Sequence, residues 1–147
     1  MTMTNLSRTE LLKKVKVTEL MTSNVITIEH DDLVGKASRM MMENRIHSIL
    51  VMKQGKPVYI ISTFDLLKLS YEGTFNEDSY DMLQTTVEEL VQGQKLIKIN
   101  TATTLIEALQ IFTDYSIHSI PVIDGEEVKG IITLMDLAIW YRKTHEV

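Results

Sequence analysis

The chain contains a stretch, written twice, that limits its folding choices more than any other feature. Residues 116–136 hold two short β-branched runs, 117–123 and 128–132, on either side of the turn formers Asp124-Gly125. Apolar runs of that length around turn residues read as the strands of a hairpin. Thr133, with Asp136 three residues on, then opens a helical pattern. The pair has the signature of a helix N-terminus, where a hydroxyl and a carboxylate meet bare backbone N–H groups. A helix start is also a ready phosphate site. The same text stands earlier as Ile46-His47-Ser48-Ile49, followed by Tyr59-Ile60-Ile61-Ser62 and Asp65. The interval is 70 positions from Val17 to Val87; after a one-residue insertion near Gly93 it is 71 from Ile26 to Ile97, His47 to His118 and Asp65 to Asp136.

Each copy reads strand, helix, strand, strand, helix. One copy is too small to bury a comfortable core, so two copies sharing one core is the expected solution. Halves related by a two-fold leave a cleft into which equivalent residues point. Ser7 with Glu10 forms a capping box ahead of Leu11 and Leu12, predicting a short helix to about Lys14. A first strand over 25–28 precedes a helix for which Asp31-Asp32 offers a cap, with Leu33, Ala37, Met40, Met41 and Asn44 along one face. The Met40-Met41-Met42 run suits an adaptable surface or plain core packing. Strands over 48–52 and 58–62 flank a turn at Gln54-Gly55, and a helix from Thr63 to about Leu69 closes the copy. Residues 71–86 lose the periodicity and read as a linker. The resulting division is an N-terminal helix at 1–16, repeats at 17–70 and 87–142, and a tail at 143–147.

Composition narrows the function. A formal charge of −5 speaks against nonspecific nucleic-acid binding, which needs clustered Lys and Arg. Lys13-Lys14-Val15-Lys16 is the single basic cluster and suits a helix end. With no cysteine there is neither a disulfide framework nor a thiolate site. No apolar run reaches the ~20 residues of a membrane span, and the start lacks the layout of a secretory signal; a cytoplasmic protein is expected. The Asn5-Leu6-Ser7 sequon is then accidental. No nucleophile elbow, Walker loop or GxGxxG is present, so an enzyme is not expected.

In its doubled Val-x-x-Leu opening, its Ile-His-Ser-Ile-Pro-Val strand and its Gly-Ile-Ile-Thr-Leu-Met-Asp run, the chain resembles a CBS-domain pair, or Bateman module, over roughly residues 15–142. The resemblance implies an α+β tandem pair of β-α-β-β-α repeats related by pseudo-two-fold symmetry. It implies a regulatory role in which an adenosyl ligand (AMP, ADP, ATP or S-adenosylmethionine) binds the inter-repeat cleft, with no cofactor required. By that resemblance Asp136 and Asp65 hold ribose hydroxyls, and Thr133 and Ser62 contact ribose or phosphate. The chemistry agrees, since a carboxylate accepts from both hydroxyls of a cis-diol. Adenine would pack on Ile97, Ile117 and Ser119, with Ile26, Ile46 and Ser48 as counterparts. His47 and His118 keep the His of a phosphate-reaching His-Arg pair, but Ser48 and Ser119 stand where the Arg would be. Losing that fixed positive fork speaks against tight triphosphate binding and leaves room for a monophosphate or a weakly charged adenosyl ligand. Tyr59 in place of Gly130, and Leu50 in place of Pro121, weaken the first site relative to the second.

Bland alternatives remain open. Thr133 and Asp136 could simply cap a helix, and His47 and His118 could be interface histidines or, less readily, a metal pair. His30 and His145 carry no signal. The partners implied are a regulated protein and a second copy, in a homodimer whose N-terminal helix packs across its partner; the alternative function is a ligand-free assembly module.

Overall fold

The computed structural model describes residues 7–75 and 84–145. The chain forms α1 (Arg8–Lys14), a 3-10 turn (Val17–Glu19), β1 (Thr27–Glu29), α2 (Val34–Asn44), β2 (Ser48–Lys53), β3 (Lys56–Ser62) and α3 (Thr63–Phe75). After these come α4 (Val87–Val91), α5 (Leu105–Tyr115), β4 (Ser119–Asp124), β5 (Glu127–Thr133) and α6 (Leu134–Thr144). They gather into two compact units, one of Met1–Val25 with Ile97–Val147, the other of Ile26–Leu96. Each unit therefore draws on both repeats, and the opening segment of each copy is built into the unit that carries the other copy's hairpin.

In the first unit, Val17 donates its N–H to the carbonyl of Thr103 at 3.0 Å and Leu105 donates to Val15 at 2.8 Å. Thr22 and Ile131 exchange both backbone hydrogen bonds, at 2.8 and 2.9 Å, against the edge of β5. Val17 and Leu20 thereby enter a core with Leu105, Ala108, Phe112, Ile120, Val122 and Ile132. α1 lies on α5 of the same chain, with Leu12 and Val15 against that core. In the second unit Val34 donates to Thr85, Val87 to Asp32 and Glu88 to His30. Val87 and Val91 join Ile28, Ala37, Met41, Ile49, Val51 and Ile61 in a separate core cluster. Burial drives the exchange: Val17, Val87 and Val91 are fully covered, each worth on the order of 1.5–3 kcal/mol relative to exposure.

The two hairpins keep the register of the repeat. Val51 pairs with Tyr59 as Val122 pairs with Gly130, and the pairing slips one position later in both. α2 and α5 end alike, with Arg45 and Ser116 left-handed at φ 51° and 52°. The turns differ. Gln54 and Gly55 both have positive φ, the type I′ requirement, whereas in the second loop Gly125 alone does.

Other expectations are modified. β1 is parallel to β2 over Thr27–Glu29, but its counterpart in the second copy shrinks to a single bridge between Ile99 and Val122. Ile99 donates to the carbonyl of Pro121 and accepts from the N–H of Ile123. The next donor along β4 would be the nitrogen of Pro121, which carries no hydrogen, so the ladder stops. α3 runs past the expected end at Leu69 to Phe75, because no proline interrupts it and a mid-helix Gly73 costs only about 1 kcal/mol. Residues 71–75 of the expected linker are thus helical, and 76–83 lie outside the described residues. Asp32 does not cap α2, whose N-cap is Leu33 without a side-chain bond. The Asp32 carboxylate instead accepts from the N–H of Glu29 at 3.0 Å and from Lys36 at 3.1 Å. The methionine run divides by helical spacing: Met41 is core, Met40 packs at its margin, and Met42 is exposed.

Candidate functional site

The strand-to-helix corner of the first unit is a closed set of short hydrogen bonds. Thr133 ends β5 with extended backbone and caps α6. Oδ2 of Asp136 accepts from the Thr133 N–H at 2.8 Å and from its hydroxyl at 3.0 Å, while the Asp136 N–H donates to the same hydroxyl at 3.2 Å. The other carboxylate oxygen, Oδ1, accepts from the hydroxyl of Thr22 at 3.0 Å. Leu134 donates to the carbonyl of His118 at 3.1 Å, and Ser119 pairs with Thr133. His118, Ser119, Thr133 and Asp136 therefore meet at one corner. Ser119 is buried, Thr133, Asp136, Ile97 and Ile117 are half-buried, and His118 is exposed. Ile117 also packs against the first core.

The second unit repeats the corner almost bond for bond. Oδ2 of Asp65 accepts from the Ser62 N–H at 2.8 Å and from its hydroxyl at 2.9 Å, and the Asp65 N–H returns to that hydroxyl at 3.3 Å. Here the donor to Oδ1 is the side-chain amide of Gln94, at 3.0 Å. Thr63 donates to the carbonyl of His47 at 2.9 Å, and Ser48 pairs with Ser62. Ile26 and Ile46 sit half-buried at the margin of the second core.

Capping by Thr133 and Asp136, and by Ser62 and Asp65, is thus a fact of the fold. It leaves limited room on each carboxylate. A carboxylate offers about four acceptor positions, and three are taken at each corner. Receiving both hydroxyls of a cis-diol means displacing Thr22 from Asp136, or Gln94 from Asp65. Neither donor stood out in the sequence, although each is a polar residue just after the apolar opening of its copy.

Gly130 has a structural reason of its own. A Cβ there would stand 2.7 Å from Sδ of Met21 and 2.9 Å from the carbonyl oxygen of Thr22. The glycine admits the opening segment beside β5. At the equivalent place Tyr59 is half-buried against the second core.

The perturbed titrations lie away from both corners. Glu88 accepts from Lys53 at 2.7 Å and bonds the His30 ring at 2.9 Å. Lys53 foremost, then His30, holds the Glu88 carboxyl below its ordinary value, and that hydrogen bond raises Lys53. Asp124 is lowered by the N–H and then the hydroxyl of Thr101. These contacts fasten loops to strands; His30 has a role the sequence did not suggest. Among the described residues no three His, Asp or Glu side chains are placed to hold a metal ion, and no helix is long and apolar enough to cross a membrane.

The family model described as CBS domain matches twice, over residues 17–72 and 87–143. An uncharacterized protein of Methanocaldococcus jannaschii, MJ1404, is 29% identical over 143 residues, covering 92% of this chain. The chain spans 34% of that relative's length. Among solved structures, the protein described as acetoin utilization protein AcuB from Vibrio cholerae superposes with a TM-score of 0.76 at 20% identity, covering 90% of this chain and 93% of that one. MJ1225 of M. jannaschii, described as an archaeal homolog of g-AMPK, gives 0.75 at 20% identity, covering 88% of this chain and 48% of its own.

Proposed function

The chain belongs to the CBS-domain family, carrying two copies in tandem, and from that premise we propose that it is a regulatory module that binds an adenosine-containing small molecule. The observation that carries this reading is the duplicated corner. A carboxylate is held by its own helix cap on one oxygen and by a single exchangeable side-chain donor on the other. Such a group is oriented in advance and gives up one modest hydrogen bond when a ribose diol arrives. The fold shared with a protein described as a homolog of g-AMPK is in keeping with this reading.

The ligand is AMP or another adenosyl compound of low charge rather than ATP. The corners offer His118 and His47 beside Ser119 and Ser48 and no guanidinium, which would grip a triphosphate in bidentate fashion. Thr133 and Asp136 take the ribose and phosphate side, and Ile97, Ile117 and Ser119 the adenine. Ser62, Asp65, Ile26, Ile46 and Ser48 form the equivalent set. Regulation requires that the ligand bind two conformations unequally; exchange of Thr22 for a ribose hydroxyl is a local change that can separate them. Calorimetric titration with AMP, ADP, ATP and S-adenosylmethionine tests the proposal. Binding that weakens strongly in Asp136→Ala supports it; no heat from any of the four, or unchanged binding in the variant, refutes it.

A second reading, a ligand-free assembly module, draws on one observation. Phe64, Leu67 and Tyr71 form an apolar stripe on α3, each about two-thirds exposed. Self-association measured by sedimentation, indifferent to AMP and abolished by Phe64→Glu, would favour it.

A further inference from the structure

Away from both corners, the first unit holds a half-open cavity of about 550 Å³ among α1, α5 and α6. Leu12 of α1, Leu105 and Leu109 of α5, and Leu137 and Trp140 of α6 make its walls. That volume falls within the range of small-molecule sites, about 300–1,000 Å³. Its polar lining comes from the C-terminal end of α6, where Tyr141, Arg142 and the C-cap His145 contribute. Among the described residues no acidic side chain lines it. The His145 ring is stacked on Tyr141, with centroids 4.0 Å apart, and its Nδ1 is held by the Tyr141 carbonyl and the Thr144 hydroxyl. Arg142 has no carboxylate partner among the described residues, in a chain whose net charge is −5.

We propose that this cavity binds an aliphatic monocarboxylate of medium chain length, its tail among the leucines and its head on Arg142. A leucine-lined wall offers no hydrogen bonds, so a nucleoside or sugar would leave polar groups unsatisfied there. An alkyl chain loses nothing and gains the burial. The single guanidinium of the lining selects the charge and the planar shape of the head group. The site is separate from the adenosyl reading and does not depend on it.

The chain supplies its own reporter, because Trp140 is its sole tryptophan. Decanoate and 1-decanol are titrated separately while Trp140 emission is followed, with far-UV circular dichroism confirming that each variant is folded. Saturable change with decanoate is expected. Arg142→Gln should weaken decanoate roughly threefold to tenfold, a range discounted for an exposed charge pair, while leaving decanol unchanged. Ala138→Phe, which fills the space from an exposed position, should abolish binding of both. No saturable change with decanoate, equal loss of both compounds in Arg142→Gln, or undiminished binding in Ala138→Phe overturns the proposal. So does sedimentation showing that a second copy covers this face and that decanoate leaves the association untouched.

Discussion

Replacing Gly130 by alanine tests how the opening segment is built into the first unit. The backbone at Gly130 is not left-handed, so alanine meets no φ penalty and the whole cost is contact. Its Cβ would lie 2.7 Å from Sδ and 3.0 Å from Cγ of Met21, and 2.9 Å from the Thr22 carbonyl. The methionine can swing aside. The carbonyl cannot do so freely, because it accepts from Ile131 at 2.9 Å while Thr22 donates back at 2.8 Å. Overpacking of this kind costs about 1–3 kcal/mol, and the stiffer unfolded chain returns about 0.4–1 kcal/mol. A net loss of about 1–2 kcal/mol corresponds to a fall of roughly 3–6 °C in Tm for a chain of this size. Calorimetric melting reads this directly. Adding Met21→Ala to Gly130→Ala should recover only part of the loss, since the carbonyl contact persists, and a double-mutant cycle separates the two contributions. A Gly130→Ala protein as stable as the parent, or one fully rescued by truncating Met21, would refute the reasoning.

Glu88→Gln should flatten the acid limb of the stability–pH curve: the folded pKa of Glu88 is below its ordinary 4.5, so the stabilisation is present above that value and lost as pH falls through the folded pKa. Urea unfolding across that range reads the slope, and an unchanged acid limb would contradict the role given to Lys53 and His30. Thr133→Val removes the hydroxyl that caps α6 and should cost about 1 kcal/mol in urea unfolding, with a loss of AMP affinity if the corner is the ligand site. Thr22→Val should spare most of the stability and alter AMP affinity, because its hydroxyl touches only the outer oxygen of Asp136.

Much of this architecture was legible because it is written twice. The interval of 71 positions aligned His47 with His118 and Asp65 with Asp136, and the structure sets each pair at equivalent corners. The caps at Ser62 and Thr133 were readable because capping depends on residues three apart. The exchange of opening segments was not readable, since Val17 and Val87 look alike and nothing local says which hairpin each will meet. Thr22 and Gln94 were missed for the same reason: their partners lie 114 and 29 residues away. The loss of a strand beside β4 followed from Pro121, whose missing donor mattered only once the parallel neighbour was known. The small size of Gly130 admits the backbone of Thr22, a contact that no local pattern announced.

The most direct test of the adenosyl account is an amide-resolved NMR titration of the intact chain with AMP. The account predicts saturable shifts at His118, Ser119, Thr133 and Asp136, with the Thr22 amide moving as its hydroxyl leaves the carboxylate. Saturation that leaves those amides, and their counterparts at His47, Ser48, Ser62 and Asp65, unmoved would contradict it.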